Sequence, residues 1–203
     1  MTRRKTKDLV YYLVDRECGE VLAQLLASHP DLRGETNVIA ESLLGDVSAE
    51  VTSKEVAKQV RDLGVDRLWG RTGRKPWGYV EPGEAAWELL EQAVESLQND
   101  MKRRMRAGME SAAEMLCQGV VLGLYRVEKS GGSEVVDCAP DFPLETAAYT
   151  VSTLVKMYPK SRRRAAGRRI IEGVEQRCGE WVNVLQRVVE EAIPLGKRTR
   201  KRR

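Results

Sequence analysis

Along residues 84–106 the apolar side chains Trp87, Leu90, Val94, Leu97, Met101 and Met105 recur at intervals of 3, 4, 3, 4 and 4, with charged and polar residues between them. That spacing follows the 3.6-residue turn of an α-helix and puts the six on one stripe. A second stripe, Met109, Ala112, Ala113, Leu116, Val120 and Leu124, starts after the break "RAG" at 106–108, where Gly108 suits the left-handed residue that ends a helix. Two long helices joined by so short a turn must lie antiparallel. Small residues on the second helix (Ala112, Ala113, Gly119 and Gly123) would let a neighbouring helix come close, at a cost of about 1 kcal/mol for each interior glycine relative to alanine.

The same periodicity runs through most of the chain. "TKDLVYYLV", with Thr6 as N-cap, "GEVLAQLLASHPDL" and "ETNVIAESLL" predict helices broken near Cys18-Gly19 and His29-Pro30, where Pro30 fits an early helical position. "SAEVTSKEVAKQVRDLG" predicts another, closed by Gly64. "EKSGGSEVVDCAPDFP" has the glycines and prolines of a loop, in which "SEVVDC" is the one candidate extended segment. Leu144, Ala148, Val151, Val155 and Tyr158 predict a further helix. The series Ile170, Val174, Cys178, Trp181, Leu185, Val188 and Ala192 predicts one long final helix from about Ser161, stopped by Pro194. The fold class is therefore all-α, with antiparallel helical hairpins packed as a bundle or a short helical-repeat array. A basic arm at 1–7 precedes a helical domain at 8–193, and a disordered basic tail at 194–203 follows it. The pattern leaves open whether that domain is one unit or two halves, 8–127 and 141–193, joined by a loop at 128–140.

Composition refines this reading. The 203 residues are 42% apolar and 32% charged, which describes a globular chain, but Phe142 is its only phenylalanine, so Leu, Val, Ala and Met must build the core. The formal charge of +4 is unevenly placed: residues 1–7 hold four basic groups and 197–203 hold six, which leaves the chain between them at −6. A globally basic nucleic-acid module would be positive over its folded surface. Cys18, Cys117, Cys138 and Cys178 are far apart and His29 is the only histidine, so neither a zinc site nor any other metal or cofactor site is expected. The chain shows no signal-peptide core and no run of 18 apolar residues, from which a cytoplasmic protein with reduced thiols is expected.

Candidate chemistry centres on two stretches. In "GRTGRKPWGY", residues 70–79, and just before it, Trp69, Trp77 and Tyr79 are interleaved with Arg71, Arg74 and Lys75. Aromatic residues among cations can stack bases or anchor a protein partner. They can equally fold back to cover the end of the helical hairpin, with the glycines making the turns, and that structural role is the expectation for Trp69 and Trp77. The stretch is not a phosphate loop, because Arg74 follows Gly73 and Lys75 is followed by Pro76 rather than Ser or Thr. The second stretch is basic: Arg162, Arg163, Arg164, Arg168 and Arg169, together with Lys197, Arg198, Arg200, Lys201, Arg202 and Arg203 of the tail. Glu88, Glu91, Glu95, Glu110 and Glu114 read as solvated faces that pair with Lys or Arg one turn away. His29 reads as a turn residue and Cys117 as a small core residue.

The segments "KDLVYYLVDRECGEVLAQLLASHPDLR" and "GYVEPGEAAWELLEQAVESLQNDMKRRMRAGMESAAEMLCQGVVLGLYRV" resemble the helical region that follows the zinc motif in bacterial SWIM zinc-finger family proteins. The resemblance spans residues 6–127 and rests on the order loop, long helix, A-G turn, second helix. The family's C-x-C and C-x-H elements are missing from this chain, so zinc binding is not implied; a helical scaffold for protein interaction is. The expected function is accordingly a non-enzymatic helical scaffold that holds another protein or a second copy of itself, with Trp69, Trp77 and Tyr79 as the partner-binding residues. The alternative is a nucleic-acid-associated protein that grips phosphates with the 160–169 cluster and the tail.

Overall fold

The computed structural model describes residues 9–76, 78–131 and 133–193. The protein is all-α: ten α-helices and one small antiparallel β-hairpin are found among the described residues, and no described helix is long and apolar enough to cross a membrane. The chain divides into two compact units between Leu43 and Leu44. The first unit contains a 3-10 turn at Leu9–Tyr12, helix α1 (Asp15–Ser28), a 3-10 turn at Pro30–Leu32 and most of α2 (Arg33–Gly45). At its start the structure departs from the α-helix expected from "TKDLVYYLV": Leu9–Tyr12 is a single 3-10 turn, and Thr6 lies outside the described residues. His29 and Pro30 form the turn after α1, with Pro30 at the first position of the 3-10 turn.

The second unit contains the core. It is built from α3 (Ala49–Arg61), α4 (Val65–Arg71), β1 (Gly73–Lys75), β2 (Gly78–Val80), α5 (Pro82–Arg106), α6 (Glu110–Ser130), the single-turn α7 (Glu134–Asp137), α8 (Phe142–Met157), α9 (Arg163–Glu172) and α10 (Gly179–Glu191). Helices α5 and α6 are the pair read from the two stripes. Leu90, Val94, Leu97 and Met101 of the first stripe and Ala112, Ala113, Leu116, Val120 and Leu124 of the second are buried, with Trp87 and Met105 packed at the margin. Gly108 has φ +79°, a left-handed conformation that costs a side-chain-bearing residue about 1–2 kcal/mol.

Helix α6 is covered on several sides, by α3, α5, α8 and α9, so it buries residues such as Cys117, Val121 and Leu122 that lie off the predicted stripe. Gly119 and Gly123 admit α3. A Cβ at 119 would stand 2.5 Å from Thr52 Cβ, and one at 123 would stand 2.5 Å from Val56 Cβ and 2.8 Å from the Ser53 carbonyl oxygen.

Other elements correct the sequence reading. The final helix is two, because residues 173–178 form a turn that folds α10 back onto α8 and α9. A straight helix over Ser161–Ala192 would extend roughly 48 Å and leave Trp181, Leu185 and Val189 without a core to enter. "SEVVDC" is helical rather than extended: Ser133 Oγ accepts from the Val136 amide at 3.4 Å and starts α7, which buries Val135. The loop at 128–140 does not separate two halves, since α6 packs directly on α8 and α9.

Candidate functional site

Within the stretch at 70–79, Gly70 and Arg71 end α4, and Gly73–Lys75 pairs with Gly78–Val80 as a small β-hairpin. Gly73 pairs with Val80, Arg74 with Tyr79 and Lys75 with Gly78. Strands of three residues are too short to show an alternating pattern, which is why the sequence did not reveal them. Gly73, at φ +86°, lets the chain turn out of α4 into β1. The frame is held at several points. Leu68 of α4 is fully buried, and Val80 of β2 packs against the core. Lys75 Nζ donates to the Gly70 carbonyl at 3.0 Å, and Thr72 Oγ1 donates to the Trp69 carbonyl at 3.1 Å. Arg71 ties the end of α4 to α5, donating to Gln92 at 2.9 Å and lying 3.9 Å from the Glu88 carboxylate.

On this frame Trp69 is 55% exposed and Tyr79 is 64% exposed. The expectation that Trp69 folds back to cover the helical hairpin is therefore overturned: Leu68, one residue earlier, takes the inward position and turns Trp69 outward. Arg74, also exposed, stands opposite Tyr79 in the ladder. Arg74, Lys75, Pro76, Gly78 and Tyr79 line a shallow concavity. Trp77, the third expected partner-binding residue, lies outside the described residues.

Of the arginines in the 160–169 cluster, Arg162, Arg164, Arg168 and Arg169 are exposed and Arg163 is partly buried, and all but Arg164 also make hydrogen bonds within the fold. Arg162 donates to Glu110 at 2.9 Å, and Arg168 donates to Glu172 at 2.7 Å. Arg163 donates to the carbonyls of Lys156, Tyr158 and Ala192 at 2.9–3.1 Å, closing the ends of α8 and α10. Arg169 binds Glu114 with Nε at 3.0 Å. Arg164 is exposed and has no hydrogen-bond partner among the described residues. Lys197, Arg198, Arg200, Lys201, Arg202 and Arg203 lie outside the described residues.

Glu114 is the side chain most at odds with the sequence reading. It is 8% exposed, not solvated, and accepts hydrogen bonds from Arg169 and, at 2.7 Å, from the Tyr158 hydroxyl. Burial and the neighbouring carboxylate push the Tyr158 hydroxyl above the usual phenol range, while the carboxylate's hydrogen bonds raise the Arg169 guanidinium further. The partners lie 44 and 55 residues away, so no local pattern marks them. Glu91 and Glu95 also depart from the expected pairing: they accept from Trp87 Nε1 at 3.1 Å and from Asn99 at 3.5 Å instead of from a cation one turn away. These two, with Glu145 and Tyr149, border an open groove of about 530 Å³ between α5 and α8, also lined by Gln98, which donates to Thr150 at 2.8 Å. Cys117 is a core residue whose thiol burial holds well above its ordinary pKa. Among the described residues no group of three His, Cys, Asp or Glu side chains is placed to hold a metal ion.

No protein-family model matches the chain, and no curated protein or solved structure does either.

Proposed function

We propose that the protein is a non-enzymatic helical scaffold for protein–protein interaction, docking a protein partner against the face formed by α4 and the β-hairpin. The observation that carries this reading is the outward placement of Trp69 and Tyr79 on a frame whose inward residues, Leu68 and Val80, are anchored in the core. Large aromatic side chains lose little conformational freedom on docking, and with arginine they concentrate binding energy at interfaces. Arg74 beside Tyr79 supplies a hydrogen-bond donor suited to a carboxylate or carbonyl at the rim of a partner's apolar patch. The scaffold role is also what the SWIM resemblance implies.

Affinity purification from the native cell, with and without nuclease, tests the reading. The expected outcome is a protein retained after nuclease treatment and weakened at least tenfold by Trp69→Ala or Tyr79→Ala. The thermal midpoint should shift by less than about 2 °C, as for other exposed substitutions. A large loss of stability in these variants would make both side chains structural, and release of the partner by nuclease would favour the phosphate-binding alternative through the 160–169 cluster and the tail.

A further inference from the structure

Both walls of the groove between α5 and α8 are acidic. Glu88, Glu91 and Glu95 stand about one turn apart along α5, and Glu145 belongs to α8. Trp87 meets Phe142 edge-on with ring centroids 5.1 Å apart, and farther along Gln98 donates to Thr150. The two helices therefore run in the same direction here, and Glu145 falls across from the α5 glutamates. One turn beyond each of the four, where a cation would serve as partner, stand Gln92, Glu95, Asn99 and Tyr149. Arg71 approaches Glu88, at 3.9 Å, and no ion pair engages Glu91, Glu95 or Glu145 among the described residues. Lys102 is the one basic side chain among the described residues that line the groove. Like charges one turn apart work against a helix, so the stability of α5 does not account for this wall.

A solvated row of glutamates needs no ligand, but two other side chains of the groove are not solvated. Thr146 is 7% exposed and lines the groove, yet its hydroxyl has no hydrogen-bond partner among the described residues. Gln98 is 9% exposed; its amide nitrogen is taken by Thr150, and its carbonyl oxygen has no donor among the described residues. Neither oxygen is fully enclosed. Polar side chains buried this deeply find partners within the fold as a rule, and these two open on the groove instead. We infer that the groove holds an extended segment of another protein that carries lysine or arginine. The carboxylates, the hydroxyl and the amide oxygen all accept hydrogen bonds, and an ammonium or guanidinium group only donates. Trp87 and the exposed Tyr149 supply ring faces for the stems and charges of such side chains. Length selects a peptide over a small amine. From Trp87 to Lys102 α5 rises roughly 22 Å, which matches about six or seven extended residues. The row from Glu88 to Glu95 rises roughly 10 Å, enough for two cations on alternate residues of that segment. An acidic segment would be repelled by both walls.

Fluorescence anisotropy of the full chain with a labelled peptide, in which lysine and alanine alternate over about seven residues, tests this. Binding is expected at low salt and should weaken as salt is added. A chain carrying both Glu91→Gln and Glu95→Gln should bind about tenfold more weakly, and Glu145→Gln on the opposite wall should also weaken binding. Thr146→Val keeps the shape and the charge and removes only the hydroxyl; it should weaken binding about fivefold. Thermal midpoints should not fall, because the first change relieves repulsion along α5 and the last removes a hydroxyl with no partner in the fold. Equal binding by wild type and the glutamine variants would overturn the inference, as would unchanged binding by Thr146→Val, which would reduce the effect to general attraction toward an acidic surface. Spermidine binding as tightly as the peptide would overturn the assignment to a protein segment. The site shares no residue with Trp69 and Tyr79, so Trp69→Ala should hold the peptide as wild type does, and loss of binding in that variant would place the peptide elsewhere. A groove that binds nothing, in a chain that still loses its cellular partner on Trp69→Ala, would overturn this inference and leave the proposed function standing.

Discussion

Burial of Glu114 decides what its neighbours do. A carboxylate removed from water must be hydrogen-bonded and paired, and the Arg169 guanidinium and Tyr158 hydroxyl together meet that need while joining α6 to α8 and α9. Arg169→Ala strands the carboxylate. It is expected to lower stability by about 2–3 kcal/mol, less than a fully enclosed pair would lose because the Arg169 side chain is itself half exposed. Tyr158→Phe removes one hydrogen bond and keeps the ring, so its cost should be about 1 kcal/mol. Chemical denaturation of the two variants checks both the values and their order. For nucleic-acid binding the consequence is that a phosphate approaching Arg162 or Arg169 meets a cation already partly neutralised by Glu110 or Glu114.

Between elements, α3 and α6 pack closely where two glycines one turn apart leave room for a neighbouring helix. Gly123→Ala gains about 1 kcal/mol of helix propensity but pushes a methyl group into Val56 and the Ser53 carbonyl, and overpacking of this kind costs about 1–3 kcal/mol. The net expectation is destabilisation, read as a fall of several degrees in the melting temperature, and Gly119→Ala should behave alike for the same reason. A rise in melting temperature for both would mean that α3 yields and that the contact is loose. The small-residue pattern was visible in the sequence as a capacity for close approach; which helix uses it was not, because α3 lies more than fifty residues upstream and carries no complementary mark. The turn at 173–178 was hidden for a related reason. Val174 and Cys178 are both buried, so the apolar period continues across a segment that is not helical.

Across the second unit, Glu50 is the widest electrostatic link. It accepts from Arg126 of α6 at 2.8 Å and from Arg177, in the turn between α9 and α10, at 2.6 Å, so its carboxylate bridges residues 127 positions apart. Those bonds, Arg126 first, lower its pKa from 4.5 to about 2. A carboxyl group that is more acidic in the folded state stabilises the fold fully above its unfolded pKa, and that contribution disappears as the pH falls toward the folded value. Stability is therefore expected to drop between about pH 4.5 and 2, and Glu50→Gln should flatten this acid limb when thermal midpoints are compared across the range. The sequence by itself determined the fold class, the α5–α6 pair, the left-handed turn at Gly108 and the basic ends of the chain, because each follows from near neighbours: periodicity, a glycine's backbone freedom, local charge. Tertiary structure alone decided that Trp69 faces water, that Glu114 is buried, that Arg162 and Arg169 pair with distant carboxylates while staying exposed, and that Val21, Leu22 and Leu25 of α1 are exposed. Each of those depends on which distant surfaces compete for the same space, and burial is set by that competition rather than by the order of residues along the chain.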